Sequence, residues 1–91
     1  DRQVSMTELA AAFHISKSHL YKLFKQHTGY TPHQFQTLQR INRAKSLLSG
    51  TDAPITAIAF QVGFGDTAHF SRCFKETTGV TPGFYRSSMR D

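Results

Sequence analysis

Little in these 91 residues suits covalent or redox chemistry. Cysteine occurs once, at Cys73, which excludes an internal disulfide and a thiolate zinc cluster and fits a reducing compartment, the cytoplasm. Tryptophan is absent and proline occurs three times. No apolar run approaches the roughly 18 residues of a membrane span, and no signal-peptide pattern opens the chain. The six acidic residues fall mostly at prospective caps and at the termini. With no base, nucleophile or metal set converging on a cleft, neither an enzyme nor a cofactor is expected. The five histidines, His14, His19, His27, His33 and His69, scatter over turns, helix faces and caps, and no pair shares a ligand geometry with a carboxylate or Cys73.

Basic charge and an internal repeat are what the chain does have. Residues 1–50 carry seven Lys and Arg against Asp1 and Glu8, while residues 51–91 carry four against Asp52, Asp66, Glu76 and Asp91; the whole excess of +5 therefore lies in the first half. A basic small domain favours a polyanionic partner, although this charge alone fits many domains that bind nothing charged. Residues 7–35 and 56–85 align with each other. Leu9, Ala10, Phe13 and Ile15 match Ile58, Ala59, Val62 and Phe64 at an offset of 49. Leu20, Leu23, Phe24 and Lys25 match Phe70, Cys73, Phe74 and Lys75 at an offset of 50, as do Thr28-Gly29 and Thr31-Pro32 with Thr78-Gly79 and Thr81-Pro82. The slip places one extra residue near Thr67-Ala68.

Each copy reads as helices. Ser5 and Glu8 form a capping box for a short helix with Leu9, Ala10, Ala12 and Phe13 on its buried stripe. Ser16 caps a second helix, whose apolar side carries Leu20, Leu23, Phe24 and His27 and which ends at Gly29. Thr31, Pro32 and Gln34 open a connector of roughly 25 Å with Phe35, Leu38, Ile41, Ala44 and Leu48 facing inward. The second copy repeats the plan: a helix from near Pro54 to Val62, a turn at Gly63, a helix from Asp66 to about Thr77, and a last one opened by Thr81-Pro82 with Phe84, Tyr85 and Met89. Most phenylalanines fall on apolar faces; Phe60 fits less well and is expected to be partly exposed. Cys73 takes the core place of Leu23, as a structural thiol. The fold expected is all-α: two helix-turn-helix subdomains, residues 1–31 and 50–91, joined by a connecting helix over 32–49.

A short helix, a bend of three or four residues and a second helix locked by a few apolar contacts make a helix-turn-helix. Gly63 suits a bend that needs positive φ, where His14 costs about 1 kcal/mol. Once the apolar positions are assigned, Ser16, Lys17, Ser18, Tyr21, Lys22 and Lys25 remain outside on one second helix. On the other, Asp66, Thr67, Ala68, Ser71, Arg72 and Lys75 remain. Short polar, hydroxyl and cationic side chains of this kind fit a DNA major groove, though each alone could equally be a solvated helix face.

Gly63-Phe64, the run from Phe70 to Lys75, Gly79-Val80-Thr81-Pro82 and Tyr85-Arg86 together resemble the signature of the AraC/XylS family of bacterial transcription regulators. So do Leu9-Ala10, Ser16, Leu20, Phe24-Lys25, Gly29, Pro32, Phe35, Arg40, Ala44 and Leu47-Leu48 upstream, and the resemblance covers about residues 5–87. It implies double-stranded DNA as the partner, transcription regulation, more often activation beside RNA polymerase, and two recognition helices in successive major-groove segments. The family's base-reading positions fall on Ser18, Tyr21, Lys22, Ala68, Ser71 and Arg72. The expected phosphate contacts are Ser16, Lys17, Lys25, Thr31, Arg40, Thr67, Lys75 and Thr81, with pairing inside the domain as the alternative for Arg40. A helical protein–protein module without DNA binding is the alternative function.

The chain departs from the family pattern in three places. A further helix usually precedes the Ser5 region, and only four residues do so here, so the first subdomain is expected to lack some packing. His14 stands where glycine is frequent. Ser18 and Ala68 are small where bulkier readers often occur, which leaves more discrimination to Tyr21, Lys22, Ser71 and Arg72. The start at Asp1 suggests a domain excised from a longer protein, whose upstream part binds an effector or dimerises.

Overall fold

The computed structural model describes residues 5–90. The expectation that no further helix precedes Ser5 falls on residues 1–4 and lies outside them. Six helices follow one another: α1 (Met6–Ala12), α2 (Lys17–Thr28), α3 (Pro32–Gly50), α4 (Ile55–Gln61), α5 (Thr67–Thr78) and α6 (Pro82–Ser88). The fold is all-α, two tandem helix-turn-helix units joined by the long α3. By compactness the chain divides into one unit ending at Phe35 and a second beginning at Gln36, a boundary inside the first turns of α3.

Local chemistry sets these limits. Ser5, Ser16, Asp66 and Thr81 each accept, through the side chain, the amide of the residue three places on, which satisfies one of the free N–H groups of a helix start. At α3 the cap is reciprocal: Thr31 Oγ1 accepts from the Gln34 N–H at 3.1 Å and Gln34 Oε1 accepts from the Thr31 N–H at 3.0 Å. Gly29 and Gly79 end α2 and α5 in the left-handed region, at φ 80° and 86°.

The duplication recurs in the hydrogen bonds. The Ile15 N–H reaches the Ala10 carbonyl at 3.1 Å, and the Phe64 N–H reaches that of Ala59 at 2.9 Å. Thr28 Oγ1 and Thr78 Oγ1 donate to the Phe24 and Phe74 carbonyls, both at 2.8 Å. The extra residue lies just ahead of α5, two places before Thr67. Offsets of 49 persist through Ile15 and Phe64, and the caps Ser16 and Asp66 already stand 50 apart, so the insertion is Gly65, inside the bend.

In the second unit Ile41, Ala44 and Leu48 of α3 close on Ile58, Ala59, Val62, Phe64, Phe70 and Phe74, all buried. A chain of tilted and edge-to-face rings runs through it: Phe64 to Phe70 at 5.3 Å, Phe70 to Phe74 at 5.8 Å, Phe74 to Tyr85 at 5.6 Å. The first unit buries only Ala10 and Leu20 among its described residues, with Phe24 edge-on to Phe35 at 5.4 Å. Phe60 is exposed at 55%, as its place in the pattern suggested. Two other phenylalanines correct the expectation. Phe13, 65% exposed, is the C-cap residue beyond a seven-residue helix, so the helical stripe does not carry it inward. Phe84, 61% exposed, lies on the first turn of α6, where Pro82 is the buried residue and Tyr85 turns toward Phe74. Ala12, His27 and Met89 are exposed as well, which leaves the inner side of each short helix narrower than the spacing suggested.

Candidate nucleic-acid interface

Capping fixes the register of the two second helices. Ser16 Oγ accepts from the His19 N–H at 3.0 Å and Asp66 Oδ1 from the His69 N–H at 2.7 Å, so Ser18 and Ala68 are both the second residue of their helices. From there Ser18, Tyr21, Lys22 and Lys25 follow at three- and four-residue spacing, and Ala68, Ser71, Arg72 and Lys75 do the same, one stripe per helix. Opposite each stripe lies the packed side: Leu20, Leu23 and Phe24 on α2, Phe70, Cys73 and Phe74 on α5. Ser18, Tyr21, Lys22, Lys25, Ala68, Arg72 and Lys75 are exposed and Ser71 is half-buried.

The remaining positions fall at caps and edges. Ser16 and Lys17 are exposed at the start of α2; Thr67 is half-buried at the start of α5. Thr31 and Thr81 cap α3 and α6, half-buried and exposed respectively. Arg40 is half-buried on α3, with its guanidinium packed over the second turn: Cζ is 6.0 Å from the centre of the Phe64 ring, and a Cβ added at Gly63 would lie 2.9 Å from Arg40 Nε. That contact belongs to the second unit and puts a cation beside the bend leading into α5.

The two stripes differ electrically. Around α2 stand Lys17, Lys22 and Lys25, with no acidic residue in the first turn. Lys17 opposes the helix dipole there, a cost of about 0.3–1 kcal/mol that an anion at the same place would offset. At α5 the cap is the Asp66 carboxylate, and the cations are Arg72 and Lys75. The Cys73 thiol, half-buried behind this stripe, has its pKa raised by burial first and by Glu76 second, against a lowering by Arg72. It is a neutral thiol at neutral pH, suited to packing.

The spacing and composition did not show where the other arginines are used. Arg86 donates from Nε to the Leu48 carbonyl at 3.1 Å and from Nη2 to those of Thr51 at 3.3 Å and Ala53 at 2.6 Å. Arg90 pairs with the Asp52 carboxylate at 2.6 Å and also donates to the Thr51 carbonyl. Both are engaged with their own unit, which leaves Arg72 and Lys75 as the cations on the α5 stripe. No sequence signal separates such an arginine from a phosphate contact, since the acceptors are main-chain carbonyls.

Comparison with known proteins decides what such paired stripes belong to. A family model described as a helix-turn-helix domain matches residues 9–88. The chain belongs to the AraC/XylS family of transcription regulators. It is 36% identical to the arabinose operon regulatory protein of Escherichia coli over 91 residues, all of this chain and 31% of that protein. A transcriptional regulator of Chromobacterium violaceum, of the AraC type, superposes with a TM-score of 0.85 at 31% identity, over 97% of this chain and 79% of the other. The DNA-binding domain of AdpA, solved with a target DNA, superposes with a TM-score of 0.84 at 28% identity, over 98% of this chain and 80% of that one. The chain spans about a third of the length of the curated relatives it matches. This AraC/XylS-type module is a sequence-specific double-stranded-DNA-binding domain of transcription regulation and is not catalytic, which sets aside the protein–protein alternative. No helix among its described residues is long and apolar enough to cross a membrane.

Proposed function

We propose that α2 and α5 are both recognition helices, and that they divide the work unequally. Base reading falls to Ser18, Tyr21 and Lys22 on α2 and to Ala68, Ser71 and Arg72 on α5; phosphate contact falls to Ser16, Lys17, Lys25, Thr31, Arg40, Thr67, Lys75 and Thr81. The observation that carries the proposal is the pair of capped, register-matched stripes with different residues on them. Two different readers on one chain call for an asymmetric site, with the helices entering successive major-groove segments and covering about 15–20 base pairs. Activation next to RNA polymerase, in a bacterial cytoplasm, is the regulatory outcome that family membership favours. Effector response and dimerisation, where the protein has them, are assigned to sequence outside residues 1–91. Footprinting of this chain on sites selected from random duplexes is expected to show one chain protecting a non-palindromic site. A strictly palindromic site that needs two chains would contradict the proposal.

A further inference from the structure

The end of α3 is held by side chains of α6. Leu48, Thr51 and Ala53 present main-chain carbonyls that the helix itself leaves unpaired, and a single guanidinium, that of half-buried Arg86, accepts none and donates to all three. Leu48 belongs to the last turn of α3, while Thr51 and Ala53 belong to the linker into α4. That linker enters a helix whose N-cap, Pro54, makes no side-chain capping bond. The approach to α4 is thus held by the linker's own Thr51 hydroxyl, which accepts the Ala53 N–H at 3.3 Å, and from outside by Arg86, the one arginine among the described residues that reaches the Ala53 carbonyl, rather than by a cap at Pro54. Arg90 adds to the grip by donating to the Leu48 carbonyl at 3.4 Å and to that of Thr51, but it does not reach Ala53, and its ion-pair partner Asp52 has 94% of its side chain exposed, so solvent weakens that pair. From α4 the constraint passes to α5: Ile58, Ala59 and Val62 pack in one core with Phe70 and Phe74, and the Phe64 N–H is tied to the Ala59 carbonyl.

We propose that Arg86 is a positioning residue for DNA reading: by clamping α3 to the 51–53 linker it sets where α4, and through it α5, presents Ala68, Ser71 and Arg72. The proposal rests on α5 being a base reader. Paired hydrogen bonds to a base edge are sensitive to shifts of about 1 Å, whereas attraction to phosphates is not. Arg86 points its donors into its own unit, so its loss should alter discrimination and leave the salt dependence alone.

The test compares the chain with Arg86→Gln and with Arg86→Lys, which keeps the charge but not the fork that spans three carbonyls. Each is titrated against a duplex selected from a random pool and its single-base variants, at several salt concentrations. Base pairs read by α5 are those whose preference Arg72→Ala levels; those read by α2 are levelled by Tyr21→Ala. At the α5 base pairs a discrimination of about tenfold is expected to fall to about twofold or less in both variants. At the α2 base pairs discrimination should persist, and the salt slope should change by less than about half a unit. A variant that is only less well folded loses the same fraction of affinity for every duplex, so these ratios separate positioning from stability. If both variants keep the α5 discrimination, Arg86 is only a scaffold residue and the proposal is wrong. If no base pair responds to Arg72→Ala, α5 is not a reader, and the proposal falls for that separate reason.

Discussion

His14 and Gly63 occupy corresponding bends, and both backbones are left-handed, at φ 57° and 106°. A side chain at such a φ is strained by roughly 1–2 kcal/mol, and glycine is not. His14→Gly is therefore expected to stabilise the first unit by about 0.5–1 kcal/mol once the added chain entropy is subtracted. Gly63→Ala should cost about 1–3 kcal/mol and push the Arg40 guanidinium off the Phe64 ring. Urea denaturation of the two variants measures both; a destabilising His14→Gly would show that the bend carries no strain. This contrast was legible in the sequence because positive φ selects for glycine. The exposure of Phe13 and Phe84 was not, since periodicity places a residue on a face without saying whether anything covers it. Arg86 was likewise recognised only as part of a signature, because its acceptors are carbonyls 33 to 38 residues away.

Helices were easier to read than their surroundings. Caps, C-terminal glycines and three-and-four spacing all point the same way at α2, α3 and α5, and their limits agree within a residue or two. The repeat places the insertion only around the start of α5; the matching bonds of Ser16 and Asp66 narrow it to Gly65, which has no counterpart. The caps differ in charge, and that difference is testable. In Asp66→Asn the side-chain oxygen can still accept from the His69 N–H, so the helix start should survive, with the lost dipole interaction costing about 0.3–1 kcal/mol. Removing a negative charge near the phosphates should raise affinity for all duplexes by about 2–5-fold at 0.1 M salt, shrinking as salt is added. Unchanged affinity at low salt would mean that Asp66 does not face the backbone of DNA.

Across the whole molecule, the buried side chains are unevenly shared. Nine make up the core of the second unit, with Pro82 buried besides, while Ala10 and Leu20 are those buried in the first among the described residues. Local opening free energy follows buried apolar contact, so amides of α1 and α2 are expected to exchange with solvent well before those of α4, α5 and the later turns of α3. Hydrogen exchange of the free chain checks this, and equal protection in both units would contradict it. The same unevenness holds for charge: α2 has Lys17, Lys22 and Lys25 around it, whereas two of the four cations after residue 50, Arg86 and Arg90, are engaged within their own unit.

The central claim is that both helices read bases but divide the work unequally, α2 bringing more of the general affinity and Arg72 of α5 gripping a base, and one measurement tests it most directly. Arg72→Ala and Lys25→Ala are each titrated against the selected duplex and every single-base variant over a range of salt. Arg72 is expected to grip a guanine with both arms of its fork, so its loss should cost about 1–3 kcal/mol on the preferred duplex and level the preference at one guanine. Lys25→Ala should weaken all duplexes about equally and lower the salt slope by about one. If Arg72→Ala instead loses affinity uniformly across every variant, Arg72 is a phosphate clamp and the proposed division of labour is wrong.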